Sequence, residues 1–420
     1  MGILRSKISF GLILVSLLLT TSISCRSGES SQIQFESKAR NVLAAEGINS
    51  SNDPKLAVSS SGAVALLSVY GEENPQLGLF VSHNGGDSFA PPIAVSEAGA
   101  HVHSHGENSP SLIYRPTEIY ALWEQMGEAG SELFFARSVN FGQSFEKPIL
   151  VTDKSTPSFN GFSAMGVAAD GTVYVIWLDG RDQQEIPGTF SLYMARSMDR
   201  GATFGKNQKI AGGVCPCCRA SIAFDSGKGV YIAWRKVFPP DIRDIVVSTS
   251  QNGGNTFSEP ARVAVDNWKL NGCPHSGPSI VPNGNKIYVT WQTESKAVRP
   301  GIKLAWSEDK GKTFSHAQHV SAEILDANHP VLTASEDGRV AIAFQGRPPQ
   351  QSNGWSPAQT IIVPISNNGR LLPYELVPGN NKPVSYPAVA AGTAGRIFVA
   401  WTESDEKGRD VALCRGRIKM

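Results

Sequence analysis

The sequence predicts an all-β fold assembled from repeated four-stranded units, and three observations carry that expectation. Its 420 residues include 41 glycines and 26 prolines, a profile that suits many short strands and turns better than long helices. A Ser-x-Asx-x-Gly-x-Ser/Thr-Phe pattern recurs five times at near-constant spacing. A strongly β-branched apolar segment recurs seven times, at 63–70, 118–124, 172–178, 229–235, 286–292, 339–345 and 396–402.

Charge narrows the function before any motif does. Lys plus Arg number 38 and Asp plus Glu 37, a net charge of +1. That balance argues against a nucleic-acid partner, which selects a basic excess. Length alone allows two or three domains of about 150 residues, but internal repeats take precedence over length.

The five copies are Ser82, Asn84, Gly86, Ser88 and Phe89; Ser138, Asn140, Gly142, Ser144 and Phe145; Ser197, Asp199, Gly201, Thr203 and Phe204; Ser250, Asn252, Gly254, Thr256 and Phe257; and Ser307, Asp309, Gly311, Thr313 and Phe314. Ser366, Asn368 and Gly369 form a decayed sixth, and first serines follow one another at 56, 59, 53, 57 and 59 residues. The chemistry is that of a turn: an Asx side chain accepts from backbone amides, glycine takes positive φ, and the aromatic packs between sheets. The pattern resembles the Asp-box, or BNR, repeat of sialidase-like β-propellers, over nearly all of the chain. The resemblance implies a propeller whose boxes lie on the face opposite the active site.

Counting strands favours seven blades, with the six of sialidases as the alternative. First strands are introduced by Pro54, Pro110, Pro278, Pro330 and Pro387, and the last unit stops after its third strand at 410–417. Residues 35–42 resemble the strands that follow the boxes at 145–151 and 257–263. This N-terminal segment is therefore expected to complete the last blade and close the ring, which removes exposed sheet edges.

Arg5 and Lys7 precede the apolar run 8–19 and then small residues up to Cys25, the layout of a secretory signal. Ser22-Ile-Ser-Cys25 resembles a bacterial lipobox, which implies lipidation of Cys25, with plain secretion as the alternative. The expected organisation is a lipoprotein signal peptide at 1–24, a polar tether at 25–33 and the propeller at 34–420. The expected location is a membrane-anchored lipoprotein of the bacterial cell envelope. Loss of Arg5 and Lys7 takes the net charge from +1 to −1.

Chemistry is expected in the loops that lead into the first strands, around the mouth of the central channel. Aligning Ser221 with Ser279 sets Cys215 against Cys273 and Cys217 against His275, so Cys215-Pro-Cys217-Cys218 and Cys273-Pro-His275 are two versions of one loop. His103, His105 and Glu107 precede another first strand, and His329 a third. Thiolate with imidazole is a ligand set for Zn or Cu(I). A disulfide is the other reading, since exported cysteines commonly pair, although a bridge within Cys-Pro-Cys-Cys is strained. The tryptophans of the second strands are expected to pack between blades.

Resemblance to sialidases implies three arginines on a substrate carboxylate, an acid/base aspartate, and a tyrosine nucleophile activated by a glutamate. Here Tyr386, Arg219, Arg243, Arg347 and Asp179 are the residues available for that set. No Arg-Ile-Pro segment precedes the first box, where sialidases carry an arginine. Three functions follow: a non-hydrolytic propeller binding a small molecule, glycan or soft metal at its mouth; a sialidase-like glycoside hydrolase acting on acidic sugars; or a protein-interaction platform.

Overall fold

The structure, a computed structural model, describes residues 32–419 except 37, 44–47, 49, 128–129, 154–157, 350–355 and 407. The expected signal peptide, Cys25 and most of the tether lie outside the described residues. Among the described residues, no helix is long and apolar enough to cross a membrane.

All seven β-branched segments form strands: Val64–Tyr70, Ile119–Gly127, Val173–Asp179, Val230–Phe238, Lys286–Thr293, Val340–Arg347 and Arg396–Asp405. Each pairs antiparallel with a strand on either side. Neighbouring sheets cover both faces, so these second strands read as near-continuous apolar runs rather than alternations. Their indoles, Trp123, Trp177, Trp234, Trp291 and Trp401, are all buried between sheets, as expected.

The strands form six hydrogen-bonded sheets, one of them eight-stranded. That sheet is two successive four-strand meanders joined by one residue pair, Val214 with Lys236. The amide of Cys215 extends the join by donating to the carbonyl of Arg235 at 2.9 Å. The loop carrying three cysteines is thus clamped between two meanders.

The last sheet takes its outer strands from the start of the chain. Ile33–Phe35 and Arg40–Asn41 pair with Gly408–Ile418, aligning Ile33 with Ile418 and Arg40 with Leu413. The expected single strand at 35–42 is two short ones, and Ile33, assigned above to the tether, is already in the sheet.

The boxes form the expected turns. Asn84, Asn140, Asp199, Asn252 and Asp309 each accept from the amide four residues on, at 2.9–3.1 Å. The first serine of each box accepts from its glycine amide at 2.7–2.9 Å, and Gly201 takes φ +82°. Phe204 packs edge-on against Phe135 of the preceding unit. These turns join third to fourth strands, at the opposite strand ends from the loops that lead into the first strands.

First strands converge on one cavity. Five residues, Lys55, Ser111, Ala164, Ser221 and Ser279, occupy matching positions one after a proline or small residue, and all line it. Val331 and Ala388, after Pro330 and Pro387, line it as well. In four of these strands the ladder shifts register just before that position, between Asn52 and Lys55, Gly161 and Ala164, Asn328 and Val331, and Ser385 and Ala388. Each bulge carries a non-glycine residue at positive φ: Asp53 (52°), Phe162 (49°), His329 (51°) and Tyr386 (50°). Bulges re-aim side chains, and proline is tolerated there because the bulged residue makes no ladder bond. Pro54, Pro330 and Pro387 therefore sit within the first strands instead of before them.

Candidate functional site

Two groups of polar side chains gather at the loops that lead into the first strands: one in the cavity, one beside it.

The cavity, about 280 Å³, is lined by Lys55, Glu107, Arg219, His329 and Tyr386 among others. Glu107 is its best-held group. One carboxylate oxygen pairs with His329 Nδ1 at 3.0 Å, and the other accepts from the amides of Gly277 (3.0 Å) and Arg219 (3.3 Å). Burial pushes its carboxyl up, but His329, Arg219 and the Gly277 amide outweigh it and hold it below the usual carboxylate range. The His329 ring lies 4.3 Å from that of Tyr386. Burial, with the charges of Glu107 and Asp53, pushes the Tyr386 phenol up. Arg219 donates to the carbonyl and hydroxyl of Ser109. Its buried Nε has no partner among the described residues.

The second group is the cysteine cluster. Cys215 Sγ lies 3.8 Å from Cys217 Sγ and 3.7 Å from Cys218 Sγ. Arg243 donates to the Cys215 sulfur at 3.0 Å. Those two thiols, with Arg235 and Arg243, hold the Cys215 thiol well below its ordinary range. The hydrogen bond to Cys215 pushes Cys217 up, and burial does so for Cys218. Cys217 also belongs to a second trio with Cys273 and His275, and within each trio the ligand atoms lie within 4.8 Å of one another. Cys215, Cys217 and Cys218 are buried, whereas Cys273 and His275 are exposed. All five described cysteines are free thiols in the structure, and Cys414 is buried in its strand as expected.

The structure divides the sequence-predicted residues. The alignment of Cys215-Pro-Cys217-Cys218 with Cys273-Pro-His275 brings five ligands together. His103 and His105 are outside both trios: His103 pairs with the buried Glu124 at 3.1 Å, and His105 packs against His103 and Phe162. Of the sialidase-like set, only Tyr386 and Arg219 line the cavity. Arg243 is engaged by Cys215 and by the carbonyl of Leu270 at 3.2 Å. Arg347 pairs with Asp326 at 3.2 Å. Asp179 is fully buried, bonded to Trp177 Nε1 at 2.9 Å and to Arg181 at 2.7 Å. Those three are held by other partners and do not line the cavity. Sequence reasoning missed Lys55, which is the one charged residue among its seven matching positions; aligning the first strands would have exposed it.

Comparisons with known proteins agree with this architecture. The BNR repeat-like domain family matches residues 63–399. No curated protein matches the sequence. Among solved structures, a protein of unknown function from Dyadobacter fermentans is 14% identical with a TM-score of 0.54, covering 93% of this chain and 100% of that one. The Penicillium chrysogenum α-L-arabinanase complexed with arabinobiose is 11% identical with a TM-score of 0.50, covering 74% and 93%. A Fusarium graminearum α-L-arabinofuranosidase is 10% identical with a TM-score of 0.50, covering 92% and 98%. Likeness at this level establishes fold and leaves chemistry to the residues themselves. The chain belongs to the BNR repeat-like domain family, whose model spans most of its length.

Proposed function

We propose that this protein is an exported, lipid-anchored propeller that holds a soft metal ion, Cu(I) or Zn(II), beside its channel mouth. The observation that carries the reading is the pair of trios sharing Cys217. Sulfur separations of 3.7 and 3.8 Å suit a tetrahedron with metal–sulfur bonds of about 2.3 Å, whose edge is about 3.8 Å. Three thiolates around one ion leave net negative charge, and Arg243 on Cys215 with the nearby Arg235 offsets it. Cys215, Cys217 and Cys218 make the buried position; Cys217, Cys273 and His275 make an exposed one. The propeller is read as seven-bladed, the eight-stranded sheet counting as two blades, with the ring closed by the strands at Ile33–Phe35 and Arg40–Asn41. Cys25 is the proposed lipid attachment, placing the domain at the bacterial cell envelope.

Elemental analysis of reduced, metal-reconstituted protein tests the metal reading. Wild type and Cys414→Ser should retain metal, and Cys217→Ser should lose it. Equal retention by all three, or a disulfide within Cys215–Cys218 or to Cys273 that survives in the isolated protein and excludes metal, would overturn it.

A second reading is a glycoside hydrolase for acidic sugars, favoured by Tyr386, Arg219 and Glu107 lining one cavity. It requires release of a fluorophore from a sialic-acid glycoside that is abolished by Tyr386→Phe. The engagement of Arg243, Arg347 and Asp179 elsewhere weighs against it.

A further inference from the structure

We infer that the central cavity is a binding site for a small carboxylate, held by the ammonium of Lys55 and the guanidinium of Arg219. The inference is independent of the metal reading and rests on which hydrogen-bonding groups around the cavity are already used.

The carboxylate that lines the cavity is satisfied. Glu107 has three donors, His329 Nδ1 and the amides of Gly277 and Arg219. Asp53, which does not line the cavity, is buried and accepts on Oδ2 from Ser104 Oγ at 2.6 Å and Asn52 Nδ2 at 3.2 Å. The cavity's cations are not satisfied. Arg219 spends one nitrogen on Ser109, and its buried Nε is left without a partner among the described residues. The Lys55 ammonium makes no hydrogen bond or ion pair with the described residues. The cavity therefore presents a surplus of donors, and a buried donor without a partner costs about 1–3 kcal/mol. A carboxylate supplies the missing acceptors and matches a guanidinium geometrically.

Position strengthens the argument. The other six residues at the matching ring positions are Ser111, Ala164, Ser221, Ser279, Val331 and Ala388. None is charged, so nothing in the repeat requires a lysine there. A cavity of about 280 Å³ lies at or below the lower end of ligand pockets, about 300–1,000 Å³. It suits a two- to four-carbon acid better than an oligosaccharide.

The electrostatics of Lys55 supply a diagnostic readout. Burial, then the like charge of Arg219, draw its ammonium down to about 7, against the opposing pull of Asp53 and Glu107. His329 and Tyr386 are the other titratable groups lining the cavity. An anion beside Lys55 favours the charged amine and raises its value again. Binding above the free value must then take up a proton, and binding well below it must not.

Calorimetry of the wild-type protein with lactate, pyruvate, acetate and inorganic phosphate tests this, in buffers of unlike ionisation enthalpy at about pH 6 and about pH 8.5. The expected result is saturable binding of one small carboxylate per chain. Proton uptake should approach one per ligand at the higher pH and vanish at the lower. Lys55→Met should weaken binding at least tenfold, while Cys414→Ser leaves it intact. If Lys55→Met fails to fold, the wild-type proton uptake still decides the matter. Absence of carboxylate binding, binding of phosphate alone, or carboxylate binding with no pH-dependent proton uptake would each overturn the inference.

Discussion

Glu107 and His329, 222 positions apart, meet at 3.0 Å in the central cavity. The contact ties the loop leading into one first strand to the bulge of another across the channel. Because the Glu107 carboxyl is held below its ordinary value, its contribution to stability is present above the ordinary glutamate value of about 4.3 and is lost as pH falls through the folded value. Glu107→Gln should cost about 1–3 kcal/mol at neutral pH. The gap between variant and wild type should narrow in acid, because only wild type has a carboxylate to lose there. Denaturant titrations at about pH 7 and about pH 3 measure both.

The boxes predict an asymmetry between two substitutions. Asp199 caps its turn through the Thr203 hydroxyl and amide, at 2.6 and 2.9 Å, and these bonds hold its carboxyl down at about 2. Three of the five boxes use asparagine for the same amide bond. Asp199→Asn should therefore be nearly neutral. Asp199→Ala should cost about 1 kcal/mol in a denaturation curve, reflecting an exposed turn and not a buried charge.

Gly106 is where the cavity wall tolerates no side chain. Its φ is +54°, and a Cβ there would meet the Tyr386 hydroxyl oxygen at 2.3 Å. Gly106→Ala must displace the phenol or strain the loop, at about 1–3 kcal/mol. Thermal melts should show the loss, and small-carboxylate binding should weaken with it.

The middle strands were legible in the sequence because burial on both faces writes a local signature, as in the fully buried Val173–Asp179. The boxes were legible because the Ser197 and Asp199 hydrogen bonds span only four residues. The cysteine site was legible in part, since matching one repeat against the next set Cys217 beside His275. The cavity was not. Lys55 gains its significance from Arg219 and Glu107, which lie in other repeats, and from a bulge that no residue type announces. Arg243 looked like a substrate clamp, but it is committed to Cys215 and Leu270, a choice made by packing between meanders. Asp179, available by residue type for a sialidase-like set, is bonded to Trp177 and Arg181.

X-ray absorption of the protein reconstituted with zinc under reducing conditions tests the central claim most directly. The account predicts a sulfur shell at about 2.3 Å with two to three sulfurs per ion, lost in Cys217→Ser. A shell of nitrogen and oxygen only, or no metal retained by the reduced wild type, would contradict it.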